Sequence, residues 1–245
     1  MTKNILVCKN YRVRDHSKWH RDRSRESTLT DSYNHMQRLM LQSAHKNLQD
    51  LDQVIVHGGE CETIRDVFRE HYWEIHELWT TGANILYCDL DVLFVRPVNY
   101  FGEFDHFAMF NYTQPPKCKD PHYNVTFDHY FNCGIRYYPH NMDPGLWQLA
   151  EQMINNWNPN RWDCEQIVYN AMLWHQDIHL GQTLRPELNY QMIRDPRTAV
   201  GAQTASGNNR GMPYSEACAV HFHGSRNAQQ KAEIMQHVAT LYNCV

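Results

Sequence analysis

The sequence contains no long apolar run. No segment approaches the ~18 uninterrupted apolar residues of a membrane span, and the first such run, Ile5 to Cys8, is too short for the core of a signal peptide. A soluble, unsecreted, cytoplasmic chain is therefore expected. Its eight cysteines include no C-x-x-C pair, and several lie in apolar stretches where cysteine behaves as a small hydrophobe, so reduced thiols are expected. In that compartment the N-x-T sequons at Asn111 and Asn124 lose their meaning. A phosphate-binding G-x-x-x-x-G-K-[ST] loop and a dinucleotide-binding G-x-G-x-x-G turn are both missing, which argues against a kinase-like NTPase and a dinucleotide enzyme. So are H-E-x-x-H, zinc-finger spacing and G-x-S-x-G. A formal net charge of -4 excludes a globally basic nucleic-acid binder. Internal repeats, heptads and low-complexity blocks are also lacking.

What is present is an alternation of apolar strands and amphipathic helices over 245 residues, enough for one α/β domain spanning 1–245. Strands are expected at 4–8, 53–57 (ended by Gly58-Gly59), 84–88, 92–95, 107–110 and 131–138, with a strand-like pattern resuming at 217–223. Helices are expected at 32–48, from Ile64 toward Gly82, from an Asp143 cap with Pro144 in the first turn, from Asp163, and at 228–242. Continuous apolar strands belong to a mostly parallel sheet covered by helices on both faces. The polar stretch at 194–216 reads as a mobile loop and a candidate lid.

The most informative local feature is Asp89-Leu-Asp91. The triplet alone carries little, but here it ends one apolar strand and runs at once into another. In open α/β sheets ligands bind at the strands' C-terminal rim. Residues two apart in an extended segment face one side, so the two carboxylates can approach one cation together. Without one they would repel, and one would be pushed toward protonation.

The segment Asn84-Ile-Leu-Tyr-Cys-Asp-Leu-Asp-Val-Leu-Phe-Val-Arg-Pro97 resembles the metal-binding D-x-D segment of GT-A fold glycosyltransferases, in particular the glycogenin and bacterial lipopolysaccharide galactosyltransferase type. Phe131-Asn-Cys-Gly-Ile135 is similar to that family's Phe-Asn-Ser-Gly segment, which lines the donor-sugar site. Val220-His-Phe-His-Gly-Ser-Arg226 is similar to its C-terminal His-Phe-x-Gly segment. The family's following Lys-Pro-Trp is absent: Asn227 stands where its lysine would be, and Arg226 is the candidate replacement. The resemblance implies a GT-A-like, Rossmann-like mixed and mostly parallel sheet flanked by helices. It implies a metal held by Asp89, Asp91 and His221, and donor contacts from Asp89, Asn132, Gly134, Gly224 and Arg226. It further implies transfer of a sugar from a nucleotide-diphosphate donor, UDP by analogy, to a hydroxyl of a carbohydrate, glycan or other acceptor, with retention. Hard carboxylate ligands suit Mg²⁺ or Mn²⁺, and an added imidazole favours Mn²⁺.

Other residues keep two readings. His223 alternates with His221 on one strand face, and the family match alone selects His221. Asp163 and Glu165 match the acidic segment that touches donor sugar or acceptor near the reacting carbon, while Asp163 with Gln166 also makes a helix capping box. If the enzyme inverted configuration, Glu165 would be the base. The basic run from Lys9 to Arg25 reads as solvated surface or as a contact for a diphosphate or anionic acceptor, and Tyr11 as a ring to stack on a base. Two rival functions remain: a haloacid-dehalogenase-type phosphatase, whose Asp-x-Asp normally follows the first strand, and a catalytically silent nucleotide- or sugar-binding module.

Overall fold

A computed structural model describes residues 2–14, 26–112, 118–120, 125–127, 130–156, 165–166, 168–170, 181–192, 212–222 and 227–245. Its elements in chain order are β1 (Asn4–Val13), α1 (Glu26–Asn47), β2 (Gln53–Cys61), α2 (Ile64–Thr80), β3 (Asn84–Cys88), β4 (Val92–Phe94), β5 (Phe107–Tyr112), β6 (Cys118–Asp120), β7 (Val125–Phe127), β8 (Tyr130–Tyr138), α3 (Gly145–Asn155), β9 (Gly181–Thr183), β10 (Tyr190–Gln191), β11 (Ala219–His221) and α4 (Ala228–Leu241).

The main sheet has the order β2-β1-β3-β8-β5-β9. β2, β1 and β3 are parallel, β8 runs antiparallel to both β3 and β5, and β9 is parallel to β5. One reversed strand in six makes the sheet mixed and mostly parallel. A smaller sheet, β10-β11-β4, stands beside it, and β6 and β7 pair as a short antiparallel ribbon.

The helices form where apolar side chains recur at helical spacing. On α1, Met36, Met40 and Ala44 are buried, and on α2 Val67, Phe68, His71 and Ile75 share the inner face. A capping box starts α2: Thr63 accepts from the Asp66 amide, and the Asp66 carboxylate accepts from the Thr63 amide. Asp143 Oδ1 accepts from the Gly145 amide at 2.8 Å and so caps α3, with Pro144 at a helical φ of -65°. Ser43 and Asn47 of α1 anchor β4: the Phe94 amide donates to Ser43 Oγ at 3.1 Å, and Asn47 Nδ2 donates to the Phe94 carbonyl at 2.6 Å.

Two strands outrun the sequence expectation. β1 continues to Val13 and β2 to Cys61, in parallel register throughout, so Lys9, Arg12 and Tyr11 belong to a strand and not to a loop. Ladder pairing carries them beyond their apolar residues. Gly58 does not end β2. A Cβ there would sit 2.9 Å from the Asn10 carbonyl oxygen, so the glycine permits a close strand approach instead of making a turn. In addition, α1 begins at Glu26, ahead of the expected residue 32.

Candidate active site

β3 ends at Cys88 and β4 begins at Val92, so Asp89-Leu90-Asp91 is the link between the two larger sheets. Backbone bonds hold it from both sides. The Asp89 amide donates to the Gly134 carbonyl at 2.8 Å, and the Phe222 amide donates to the Asp91 carbonyl at 2.9 Å. These contacts bring the three motif segments together.

His221, on β11, turns Nε2 toward the pair: 3.4 Å from Asp91 Oδ1 and 4.0 Å from Asp89 Oδ2. The histidine is 4% exposed, Asp91 14% and Asp89 33%, so the imidazole forms the floor and Asp89 the rim. The three ligand atoms lie within 4.8 Å of one another.

The other imidazole nitrogen is fixed. In the tautomer protonated at Nδ1, His221 donates to Asn132 Oδ1 at 3.2 Å, which leaves the Nε2 lone pair aimed at two carboxylates. With a cation between them that lone pair completes an oxygen, oxygen and imidazole-nitrogen donor set; without one, a proton on Nε2 lets the ring hydrogen-bond Asp91 instead. The residues therefore fit a divalent ion.

Asn132 is the hub behind that ligand. Its Oδ1 also accepts from the Gly134 amide at 3.1 Å and from Asn189 Nδ2 at 3.2 Å, and its Nδ2 donates to Gln166 Oε1 at 3.3 Å. Gln191 Nε2 stands 3.2 Å from His221 Nδ1. Opposite β5, the register jumps from Arg136 to Asn132, so residues 133–135 bulge out of that pairing toward the acid pair. Gly134 is required at the bulge because a Cβ there would lie 2.2 Å from His221 Cε1.

The two carboxylates are tuned in opposite directions. Burial pushes Asp89 up and the Asp91 charge adds to this, with Lys9 opposing; the Tyr87 hydroxyl donates to its Oδ1. Burial also acts to raise Asp91, but the Lys231 ammonium and His221 outweigh it and hold the acid well below the usual range. Lys231 Nζ, on α4, donates to Asp91 Oδ2 at 2.5 Å.

Below the pair lies a second charged group. Glu165 accepts from Lys9 Nζ at 2.5 Å and from Arg136 Nη1 at 2.6 Å. The Arg136 guanidinium, wholly buried, stacks 3.9 Å from the Tyr87 ring centre and 4.4 Å from that of Tyr169. Burial acts to raise Glu165, yet Arg136 and Lys9 pull it down, so it stays ionised. Lys9 is thus committed inside the protein and is not a free anion contact.

Of the remaining sequence-predicted residues, Tyr11 gives its hydroxyl to Glu74. Asp163, Gly224, Arg226 and His223 lie outside the described residues, as does most of the 194–216 stretch. Sequence reasoning missed Tyr87, Arg136, Gln191 and Lys231. Arg136 had a signal, a lone cation within an apolar strand; Gln191 and Lys231 had none.

No family's sequence model matches this chain, and no curated protein does. Solved structures do match in fold. One is a glycosyltransferase involved in the glycosylation of the major capsid of PBCV-1, with TM-score 0.59, 12% identity, and coverage of 96% of this chain and 99% of that one. Another is the apo form of the glycosyltransferase GlyE of Streptococcus pneumoniae TIGR4, with TM-score 0.52 and 11% identity over 99% of this chain. A third is the apo bifunctional glycosyltransferase WbbM, with TM-score 0.58 and 9% identity over 98% of this chain. The present chain spans 63% and 51% of the latter two. The fold is accordingly GT-A-like, and the acid pair ends its third strand, not the first as in haloacid-dehalogenase phosphatases. No helix among the described residues is long and apolar enough to cross a membrane.

Proposed function

We propose that this chain is a metal-dependent glycosyltransferase, one GT-A-like unit that moves a sugar from a nucleotide-diphosphate donor, UDP by preference, to a hydroxyl of a carbohydrate, glycan or other acceptor. The observation that carries the reading is His221 Nε2 aimed at Asp89 and Asp91 from a ring fixed through Asn132. Asp89, Asp91 and His221 would hold Mn²⁺ or Mg²⁺, which would supply neutralisation of charge on the departing nucleoside diphosphate.

The chain's own residues do the rest. Asn132 fixes the His221 tautomer and, with Gly134, borders the donor sugar. Tyr11 offers a ring to the base, and by the motif resemblance Gly224 and Arg226 are assigned to the phosphates. Lys231 neutralises Asp91, and with a cation on that carboxylate its ammonium would be available to a phosphate oxygen.

Retention of configuration is favoured because Glu165 is already held by Lys9 and Arg136, which makes it a poor proton acceptor. We assign it to positioning those two cations against Tyr87, and by the motif resemblance assign Asp163 to the sugar. NMR of the product anomer tests this, and an inverted product would return Glu165 or Asp163 to the role of base.

The donor site is tested by thermal unfolding with UDP, GDP and CMP, each with and without Mn²⁺, in wild type and Asp91→Asn. A ligand at about 100 times its Kd adds about 2.7 kcal/mol. One nucleotide should stabilise only with metal, and only in wild type. No shift under any condition would sink the proposal, whereas a shift without sugar turnover would mark a silent binding module.

A further inference from the structure

A second group of metal-ligating side chains stands apart from the acid pair. His57 on β2 and His71 and Glu74 on α2 each present one ligand atom, all within 4.8 Å of one another. His71 and Glu74 are three apart on the helix and so share one face, which packs on β2. His57 Nδ1 lies 3.0 Å from Glu74 Oε2, yet it makes no hydrogen bond. The Nδ1 of His71, a residue only 1% exposed, is also buried without a partner. Two orphaned imidazole nitrogens beside one carboxylate are unusual, since buried polar atoms are nearly always paired.

The protonation states suit a cation. Burial lowers His57 to about 4 and His71 well below its usual value, with Lys9 and Arg136 reinforcing the effect on His71, so both rings are neutral at pH 7 and can each offer a lone pair. His71 Nε2 faces Arg136 at 3.4 Å, so freeing Nδ1 by moving the ring proton there exchanges a long acceptor contact for a donor facing a donor, which metal coordination at Nδ1 must offset. Beside the cluster Glu60, Glu62, Asp66, Glu70 and Glu74 line a cavity of about 500 Å³, which meets the cluster at Glu74 and whose negative field attracts cations. Arg14 pairs with Glu60 and Glu62 at its outer side, and the Tyr11 hydroxyl reaches Glu74 within it.

We propose that His57, His71 and Glu74 form a second, borderline divalent cation site, with Zn²⁺ as the fitting ion. Two imidazole nitrogens and one carboxylate oxygen are a zinc donor set that leaves a fourth position for water, and they contrast with the oxygen-rich acid pair. The bound ion would join β2 to α2 and set the end of β1 through Tyr11. This inference does not depend on the glycosyltransferase reading.

The test uses the full chain with Asp89→Asn and Asp91→Asn, which disables the first site. Zn²⁺ is titrated against a chromophoric chelator, and Co²⁺ is added in parallel for its visible absorption. One equivalent should bind, with a Co²⁺ spectrum of low coordination number. Adding His57→Gln or Glu74→Gln should weaken binding by more than about tenfold, the least that losing even an outer partner of a metal ligand costs, while the circular dichroism stays unchanged. In the otherwise wild-type chain the stoichiometry should fall from two to one with His57→Gln. A folded double variant that binds no Zn²⁺, or binding unchanged by His57→Gln in both backgrounds, would overturn the proposal.

Discussion

Lys231 Nζ lies 2.5 Å from Asp91 Oδ2 while His221 Nε2 lies 3.4 Å from the other oxygen of the same carboxylate. An ammonium on α4 thus occupies half of the carboxylate that a cation would use. Lys231→Met should cost the metal-free protein about 1–3 kcal/mol, less than a fully buried pair because both groups keep some exposure. It should also raise Mn²⁺ affinity several-fold. Thermal unfolding with and without Mn²⁺ checks both, and an equal Mn²⁺ gain in variant and wild type would show that Lys231 does not compete.

Gly134→Ala brings a methyl to within 2.2 Å of His221 Cε1, in a buried site with no room to give. Overpacking of this kind costs about 1–3 kcal/mol. Urea unfolding should register that loss, and Mn²⁺-dependent stabilisation by a nucleotide should shrink with it. A variant of wild-type stability would mean the imidazole moves freely.

Glu165→Gln leaves Arg136 buried without its counter-ion, a loss of about 3–5 kcal/mol at pH 7. The sign with pH follows from the lowered pKa of Glu165. The ionised Glu165 contributes fully above the ordinary glutamate value near 4.3, and that contribution is lost as pH falls through its lower folded value. The stability gap between wild type and variant should therefore narrow below about pH 4. A gap constant down to pH 3 would contradict the pairing.

His57 gives a second pH window. Unfolded, it takes up a proton near 6.5; folded, only near about 4. Between those values the unfolded chain binds more protons, so stability rises with pH across that interval. With metal removed by a chelator, His57→Gln should flatten this part of the curve. An unchanged slope would remove His57 from the buried neutral histidines.

Asp89 and Asp91 were legible because they interrupt an apolar run at a strand end, a break visible in a single window of sequence. The segments around Asn132 and His221 were legible only by resemblance, and the three stretches do meet, through the Gly134 and Phe222 backbone bonds. Lys231 and Gln191 were not legible, since each acts across a large sequence separation and sits in an element too polar or too short to announce its inner face. Gly58-Gly59 misled because a glycine pair signals a turn locally, whereas its use here is set by the neighbouring strand. Asp163 and Glu165 illustrate the same limit: the family resemblance marked the carboxylates, but only the fold reveals that Lys9 and Arg136 converge on Glu165.

The link between β3 and β4 divides the candidate ligands. Asp89 is fastened to the large sheet through Gly134, whereas Asp91 and His221 belong to the small one, where Val92 pairs with His221. A cation shared by all three would rivet one sheet to the other, so the distance between Asp89 and His221 becomes a gauge of how the two slabs slide. Substitutions along that seam, far from any ligand atom, would then alter metal affinity without touching the first coordination sphere.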